Sequence, residues 1–412
     1  MSVFLLRWPA LGRRVAASAR PDGAEQATQP RLFGAVEARL AAIGVGVRLL
    51  AYAVALFGTI LFPLYRPQQF SVLPRPNQVW DVFARFDSGW YFGVARYGYE
   101  FVEGGRSNLA FFPVYPMLMR YVALALGGGR TNVYLAGIIV SWVAFCVACV
   151  LLYRLAREYV TDAQAQCAVL LLMLFPFAFF YGVVYTESVF LLCSVSAFLA
   201  FRKGRWLLGG LAGAALTATR VNGIVAWPAL ALVALETVRE RPDERLRAAL
   251  GVLLVPLGLG AYAAFSYALS GSAVEWMRSI ERWDYHPGGY PWTPFVNLFL
   301  PLLTSPYQFL LENVQARYDL LNGVAALFAL ALVPRVVRTL GWGHALLVVG
   351  NLWLPLSSGV FEGLGRYVAV LFPLFIALST VQSQTVRQVV FFSFGLLFAL
   401  CCMLFTNLHP IF

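Results

Sequence analysis

The chain has 412 residues, of which 60% are hydrophobic and only 12% are charged. Soluble domains are closer to half apolar and a quarter charged, so a water-soluble protein of this length could not bury so much apolar surface. The sequence therefore predicts an all-α polytopic membrane protein and excludes a secreted soluble domain. The net charge of +11 does not indicate nucleic-acid binding, because the charged residues lie between apolar segments.

The first 41 residues carry six arginines and no apolar run near the 20 residues that a membrane span needs. Arg7 interrupts the one short apolar stretch, which argues against a signal peptide. We predict a basic cytoplasmic tail at 1–41, followed by a transmembrane domain at 42–406.

Within this domain, apolar segments predict about eleven spans, of which the closely spaced pair at 206–237 fits partly broken or re-entrant segments. The predicted spans are 42–63, 133–153, 163–181, 185–201, 206–219, 221–237, 248–270, 319–333, 342–359, 367–381 and 388–406.

Basic residues predict the orientation, because they are enriched in cytoplasmic loops. With the tail inside, the inner segments carry 18 Lys and Arg residues and the longer outer segments carry 11. This predicts external loops at 64–132 and 271–318 and an external C-terminus at 407–412. Two arginines belong to neither the inner nor the outer segments: Arg48 lies within a span, and Arg220 lies at the short connection between two spans. We predict that the protein lies in a bacterial plasma membrane, with the active site outside.

The first external loop contains FDSGWY at 86–91, where Asp87 lies among aromatic residues that include Trp90 and Tyr91. Aromatic side chains near a membrane surface stack on sugars or anchor at the headgroups. A carboxylate among them is a candidate general base, although it could equally be a solvated acid or a helix cap. Glu100 competes with Asp87 for the catalytic role.

Two further charged residues lie between apolar blocks: Glu187 in YTES at 185–188, and Arg220 in TRVNG at 219–223. A charge at bilayer depth costs about 2.5–3.5 kcal/mol on insertion scales, so each needs a partner or a polar cavity. They could form a structural ion pair. Alternatively, they line one cavity in which the planar guanidinium of Arg220 binds a phosphate.

Arg366 and Tyr367 begin another predicted span at its outer end, and Arg366 either extends to the headgroups or contacts a lipid phosphate. The second loop contains WDYHPGGYPW at 283–292, whose Asp284 and His286 are weaker candidates for a substrate lid. Phosphate-binding glycine loops and dinucleotide fingerprints are absent from the sequence, but a donor that already resides in the membrane needs neither.

Several of these motifs, in this order, resemble the PIG-V mannosyltransferase family over roughly residues 80–376. They are FDSGWY at 86–91, FFPVYP at 111–116, FPFAFFYGVVYTESVFLL at 175–192, TRVNG at 219–223 and GRYVAVLFPLF at 365–375. Family members add the second mannose of glycosylphosphatidylinositol anchors in eukaryotes, and bacteria have relatives.

The resemblance implies a GT-C-type helical bundle whose first external loop holds an acid, matched here by Asp87. It also implies that Glu187, Arg220, Asn222 and Arg366 occupy substrate-binding positions. The reaction implied is an inverting transfer from a polyprenyl-phosphate sugar, usually mannose. The resemblance implies no certain cofactor, and a weak link to a divalent metal such as Mg or Mn is left open.

The expected partners are the polyprenyl-phosphate donor, membrane lipids and a glycan, lipid or protein acceptor. Three alternatives stay open: a different lipid-linked sugar, a transporter or lipid flippase, and a non-catalytic scaffold. The sequence has few intramembrane charges and no visible repeat, which disfavours a transporter. A scaffold would leave the two aromatic-rich loops unexplained.

Overall fold

The structure is a computed structural model that describes residues 34–70, 81–282, 286, 288–361 and 363–411. Most of the predicted basic tail at 1–41 and the candidate Asp284 therefore lie outside the described residues. Within these ranges the chain forms α-helices and short 3-10 helices and contains no strand, which confirms the predicted all-α class.

The α-helices, numbered in chain order, are α1 Ala35–Leu61, α2 Pro67–Phe70, α3 Ser88–Tyr97, α4 Val114–Ala125, α5 Arg130–Ala156, α6 Asp162–Leu174, α7 Glu187–Arg202, α8 Trp206–Thr217, α9 Ala226–Val238, α10 Arg245–Leu254, α11 Leu257–Ser270, α12 Glu275–Glu281, α13 Thr293–Thr304, α14 Pro306–Glu312, α15 Val314–Leu340, α16 Trp342–Leu356, α17 Leu364–Ala369, α18 Phe372–Ser379 and α19 Gln384–Thr406. Short 3-10 helices lie at Asp81–Phe83, Asn108–Ala110, Ala178–Tyr181, Val221–Val225 and Pro242–Glu244.

The helices are those of a multi-pass membrane protein. Six helical stretches of the described chain are long and apolar enough to cross a membrane, namely Ala35–Leu61, Asn132–Ala156, Val221–Val238, Pro242–Ser270, Val314–Leu340 and Gln384–Thr406. Each of the eleven predicted spans lies mainly within one or two helices, but several of those helices are short. The number of crossings therefore stays a prediction.

Several helices extend beyond the predicted spans. α1 begins at Ala35, inside the predicted tail, because alanine, leucine, glutamate and arginine are good helix formers even where charges end an apolar run. α5 and α15 likewise begin inside the predicted loops, at Arg130 and Val314. The loops themselves are partly helical, and α4 packs against α5.

One helical path is broken between α6 and α7. Phe175 leaves the helix with ψ 141°, because the residue before a proline avoids helical geometry, and Pro176 follows it. A single 3-10 turn at Ala178–Tyr181 precedes the start of α7 at Glu187. Irregular backbone at membrane depth is tolerated where protein surrounds it, and residues 175–191 are all buried. We call residues 175–186 the 175–186 break.

A second break separates α8 from α9. Arg220 is extended, with φ −155° and ψ 151°, and the 3-10 helix Val221–Val225 follows it. Gly223 packs so closely on the end of α8 that a Cβ atom there would lie 2.4 Å from the carbonyl oxygen of Leu216. The broken geometry predicted for 206–237 is therefore present, and it directs the Arg220 side chain away from either helix axis.

The end of the bundle opposite Glu187 gathers charged residues from the predicted inner segments. Arg154 and Glu37 pair at 2.7 Å, and Lys203 and Glu158 pair at 3.1 Å. The candidate site residues of the first loop, α7, the second break and α17 meet at the other end. The two ends therefore differ in the way that the basic-residue pattern predicts, although which end faces the cytoplasm stays a prediction.

Candidate active site

Asp87 is the N-cap residue of the short helix α3. Through α3 the first long loop packs against the bundle. The Asp87 carbonyl oxygen accepts hydrogen bonds from the backbone N–H groups of Trp90 and Tyr91, at 2.9 and 3.2 Å. The preceding residue, Phe86, has φ +48°, a left-handed conformation that is strained for a bulky side chain. Strain of this kind persists where surrounding contacts impose it, and it concentrates at functional sites.

The contacts that impose this conformation come from α3 and from the end of α19. The Arg85 N–H donates to Ser88 Oγ at 3.1 Å, and Arg85 Nε donates to the carbonyl oxygen of Thr406 at 2.9 Å. The rings of Phe86 and Phe405 lie 5.5 Å apart between centroids. The last helix of the chain thus holds the backbone next to Asp87.

Asp87 forms an ion pair with Arg366 of α17. Arg366 Nη1 lies 2.9 Å from Asp87 Oδ2, and the side chains are 18% and 24% exposed respectively. This exposure is enough for a ligand to reach both groups. Since Asp87 and Arg366 are 279 residues apart in the chain, only the tertiary fold brings them together.

Glu187 and Arg220 form a second ion pair beside the first. Arg220 Nη1 lies 2.6 Å from Glu187 Oε1, and Arg366 Nε lies 4.0 Å from the same oxygen. Glu187 is completely buried at the N-terminus of α7, and the Arg220 side chain is 10% exposed. The four side chains Asp87, Arg366, Glu187 and Arg220 form a row of alternating charge, which we call the charged row.

Two atoms of the charged row are buried without a hydrogen-bond partner among the described residues: Glu187 Oε2 and Arg366 Nε. Buried polar groups are nearly always bonded, and each exception needs an explanation. An open acceptor beside an open donor, next to a partly exposed ion pair, is typical of a site that binds a polar ligand.

Aromatic rings lie against both arginines. The Arg220 guanidinium carbon lies 4.6 Å from the centre of the Tyr367 ring, and that of Arg366 lies 5.6 Å from the centre of the Tyr185 ring. The Tyr185 hydroxyl accepts a hydrogen bond from the Asp87 N–H at 3.2 Å. These rings hold the two guanidinium planes in place by cation–π contact, and Tyr185 joins Asp87 to the 175–186 break.

A wall of aromatic side chains follows Asp87 along α3. The half-buried Trp90 stacks on Phe111 at 5.6 Å, and the buried Tyr91 meets Phe111 and Tyr115 edge to face. Burial, reinforced by the nearby Asp87 carboxylate, raises the pKa of the Tyr91 hydroxyl, so Tyr91 is neutral near pH 7. Trp90 is therefore the ring of this pair with surface left for a sugar.

The other predicted site residues lie apart from the charged row. Asn222 is buried and donates to Asn351 Oδ1 at 2.6 Å, which joins the second break to α16. Glu100 is exposed, and its backbone N–H donates a hydrogen bond to Asn108 Oδ1 at 2.9 Å. His286 is exposed too. The roles proposed for these residues rest on the motif alone.

Two residues that shape the site were not predicted from the sequence: Tyr185 and the strained Phe86. Both lie inside quoted motifs, one beside Glu187 and the other beside Asp87. The neighbouring acids drew attention to these motifs. The residue types alone, however, predict neither that the Tyr185 hydroxyl accepts a hydrogen bond from a backbone N–H nor that Phe86 has a positive φ.

A divalent metal does not fit the charged row. Within the described residues, no group of three His, Cys, Asp or Glu side chains is arranged to hold a metal ion. The Asp87 and Glu187 carboxylates each contact an arginine within hydrogen-bonding distance, so the donor set is that of ion pairing. No ligand role for Mg or Mn is assigned to these side chains.

Comparison with solved structures gives remote similarities. ArnT from Cupriavidus metallidurans, bound to undecaprenyl phosphate, is 12% identical, with a TM-score of 0.48 over 90% of this chain and 76% of that one. The oligosaccharyltransferase AglB from Archaeoglobus fulgidus, in complex with an inhibitory peptide and a dolichol-phosphate, is 12% identical, with a TM-score of 0.41 over 90% and 56%. This chain therefore spans little more than half of the archaeal enzyme's length. A comparison with curated proteins finds no match.

The family comparison is more specific. The model of the family described as mannosyltransferase (PIG-V) matches residues 61–257, just under half of the chain. The matched range contains Asp87, Glu187 and Arg220, whereas Arg366 lies beyond it. The resemblance that the motifs predict over roughly residues 80–376 is thus confirmed for the part up to residue 257. Residues 61–257 are similar in sequence to the mannosyltransferase (PIG-V) family, and this similarity supports a glycosyltransferase activity for this multi-pass membrane protein.

Proposed function

We propose that this GT-C-type glycosyltransferase moves a mannose from a polyprenyl-phosphate donor to an acceptor hydroxyl at the outer face of the membrane, with inversion. The observation that carries the proposal is the charged row. It offers two arginines for a phosphate and a partly exposed carboxylate for a hydroxyl proton, all at one end of an apolar bundle.

The donor's phosphate would bind between Arg220 and Arg366. Arg366 Nε has no hydrogen-bond partner in the described ranges, and a planar guanidinium with ring support suits two-point recognition of phosphate oxygens. The phosphate would compete with Asp87 for Arg366. Binding the donor would therefore release the Asp87 carboxylate, which is paired with Arg366 in the structure.

Asp87, once released, would act as the general base. It takes the proton of the acceptor hydroxyl while that oxygen attacks the anomeric carbon from the side opposite the phosphate. The bond between the anomeric carbon and the phosphate oxygen breaks, and its electron pair leaves with the polyprenyl phosphate. One displacement of this kind inverts the anomeric configuration. A positioned general base contributes about 10²–10⁴-fold to the rate.

The arginines would stabilise the charge that develops on the leaving phosphate. An interaction accelerates the reaction when it is stronger in the transition state than in the ground state. Arg220 and Arg366 are held by Tyr367 and Tyr185 before any ligand arrives, so little reorganisation would be needed. The buried Glu187 Oε2 has no hydrogen-bond partner among the described residues, so it would accept a hydrogen bond from a sugar hydroxyl that reached it.

The remaining assignments follow from the apolar composition and the basic-residue pattern. Residues 42–406 would form one transmembrane domain whose loops 64–132 and 271–318 face outward, with the termini on opposite sides. Membrane lipids would surround the bundle, and the polyprenyl chain would lie along its helices. Trp90 offers a ring on which a sugar can stack, so a glycan or a glycolipid is the acceptor class that we favour.

The experiment that tests this proposal uses the purified full-length chain in detergent. Radiolabelled polyprenyl-phosphate mannose, glucose, galactose and arabinose are supplied separately, with short alkyl glycosides as acceptors. We expect transfer from the mannose donor, with release of polyprenyl phosphate and inverted product stereochemistry. The matched control is Asp87→Asn. Transfer from another sugar alone would change the donor, and no transfer from any lipid-linked sugar would refute the proposal.

A further inference from the structure

An arginine in the middle of α1 has no acidic partner among the described residues. Arg48 is completely buried, and α1 runs from Ala35 to Leu61, so the guanidinium lies near the centre of a candidate span. No described Asp or Glu forms an ion pair with it. Ionisable residues at this depth are costly, and their presence points to a function.

Within the part of the chain that the structure describes, the hydrogen bond made by Arg48 goes to the 175–186 break. Its Nη1 donates to the carbonyl oxygen of Ala178 at 2.7 Å, within the 3-10 turn. The guanidinium also fills the space beside Gly182, where a Cβ atom would lie 3.4 Å from Nη1. Arg48 Nε and Nη2 are buried without hydrogen-bond partners among the described residues.

Aromatic rings stabilise the charge of Arg48 in place of a carboxylate. The guanidinium carbon lies 4.6 Å from the centre of the Phe145 ring and 5.6 Å from that of Phe398. The Arg48 guanidinium thus lies between rings of α5 and α19 and donates its hydrogen bond to the break. The arrangement fixes the position of the guanidinium, yet it leaves two of its nitrogens without hydrogen bonds, which is poor for stability.

Other side chains bind the carbonyl groups that follow Ala178 in the break. Trp142 Nε1 donates to the carbonyl oxygen of Gly182 at 3.1 Å, and Ser141 Oγ donates to that of Val183 at 2.9 Å. Ser88 Oγ, next to Asp87, donates to the carbonyl oxygen of Val184 at 3.2 Å. Since no helix ladder satisfies these carbonyls, side chains from α1, α3 and α5 determine the path of the break.

Both acids of the charged row depend on that path. Glu187 follows the break directly, and the Tyr185 hydroxyl at its end accepts the Asp87 N–H. We propose that Arg48 is a positioning residue: through Ala178 it holds the break in the one arrangement that aligns Glu187 and Asp87 with the arginines. This inference rests on the proposed function, because it concerns the alignment of that same site.

The alternative is that Arg48 only stabilises the fold, and the two roles predict different results. Arg48→Met keeps the length of the side chain and removes the charge and the donors. Among the described residues this change leaves no carboxylate unpaired, and it removes two buried nitrogens that lack hydrogen bonds, so the fold need not lose stability. A positioning role therefore predicts an unchanged melting temperature with a lower kcat. A stabilising role predicts a lower melting temperature with an unchanged kcat per folded molecule.

The test compares three variants of the full-length chain in detergent, with polyprenyl-phosphate mannose as donor. We expect Arg48→Met to melt within a few degrees of the parent, to keep the donor KM and to lose about 10–100-fold in kcat, the scale of a misplaced reacting group. Arg48→Lys restores one charged donor and should recover part of that kcat. The matched control, Arg154→Met, breaks the Arg154–Glu37 pair at the opposite end and should keep kcat.

The outcomes separate this inference from the proposed function. A parent chain that transfers no lipid-linked sugar refutes the proposed function. A parent chain that transfers mannose while Arg48→Met retains its full kcat refutes the positioning role alone. If Arg48→Met does not fold, Trp142→Phe provides the test instead, because it removes the hydrogen bond from an uncharged side chain to the same break. Wild-type kcat in folded Trp142→Phe would contradict the inference, and a reduced kcat with an unchanged donor KM would support it.

Discussion

At the scale of single residues, charge pairing in the site explains how one set of side chains can first bind the donor and then assist the transfer of its sugar. Each carboxylate of the charged row contacts an arginine, so the row is neutral in total and stable without a ligand. A phosphate that takes the arginines removes the partner of Asp87. The residue-scale predictions therefore concern which acid acts and which arginine binds.

Asp87→Asn is nearly isosteric and cannot take a proton as a base. We expect kcat to fall about 10²–10⁴-fold, the usual contribution of a general base, while the donor KM changes little. The measurement is steady-state transfer from labelled polyprenyl-phosphate mannose by protein of unchanged melting temperature. Glu103→Gln is the control, because Glu103 is an exposed acid of the same loop. An active Asp87→Asn enzyme beside an inactive Glu100→Gln enzyme would move the base to Glu100.

Arg220→Lys keeps the charge beside Glu187 and loses the planar fork that lies on Tyr367. Hydrogen bonds to charged groups are worth about 1.5–3 kcal/mol, so we expect the donor KM to rise or kcat to fall roughly 10–100-fold. Steady-state kinetics with varied donor concentration measure the effect, and the melting temperature confirms folding. Wild-type kinetics in this variant would favour a purely structural pair with Glu187.

At the scale of elements, interruptions in the helices supply the site. The 175–186 break places Glu187 at the N-terminus of α7, and the extended residue between α8 and α9 is Arg220. A helix N-terminus carries a partial positive charge, which stabilises a buried carboxylate and would also attract a phosphate. Continuous helices would have left both residues facing lipid or other helices rather than each other.

Gly223→Ala tests the second break. The added Cβ would lie 2.4 Å from the Leu216 carbonyl oxygen, a backbone contact that cannot move without shifting the end of α8. We expect a lower melting temperature and, because Arg220 lies three residues earlier, a higher donor KM in the protein that folds. Gly260→Ala is the matched control, since nothing lies within 4 Å of a Cβ atom there. Equal melting temperatures for the two variants would show that the break tolerates a side chain.

At the scale of the whole molecule, the bundle has two chemically different ends. One end holds the charged row beneath the two long loops, and the other gathers Glu37, Arg154, Glu158 and Lys203 from the predicted inner segments. Positive-inside bias assigns the second end to the cytoplasm. The site would then face outward, where a lipid-linked donor and an external acceptor can both reach it.

This orientation can be measured by labelling single cysteines with an impermeant maleimide in intact cells. Glu103→Cys and Ala273→Cys replace exposed residues of the two long loops, and Arg205→Cys replaces an exposed residue of a short basic loop. The six native cysteines are first replaced by alanine. We expect the loop positions to react and Arg205→Cys to react only after the cells are opened. The reverse pattern would place the site in the cytoplasm.

The sequence alone was enough to predict the membrane class, the helical segments and the individual candidates, because these depend on local composition and on charges that cannot lie unpartnered in lipid. Asp87, Glu187, Arg220 and Arg366 each stand out against apolar surroundings within a few residues. The same local signal also selected Glu100, and the family resemblance selected Asn222. Both residues lie apart from the charged row, since a motif does not reveal where its side chains point.

Only the tertiary structure determined which charged side chains pair with which partners. The sequence left Arg366 free to extend to the headgroups, whereas the fold sets it between Asp87 and Glu187. It likewise left Arg48 as a charge within a span, whereas the fold directs it to the carbonyl of Ala178. Such contacts join residues more than 100 positions apart, and packing around the broken helices determines them. No local pattern encodes that geometry, because it depends on the distances between helices rather than on the order of residues.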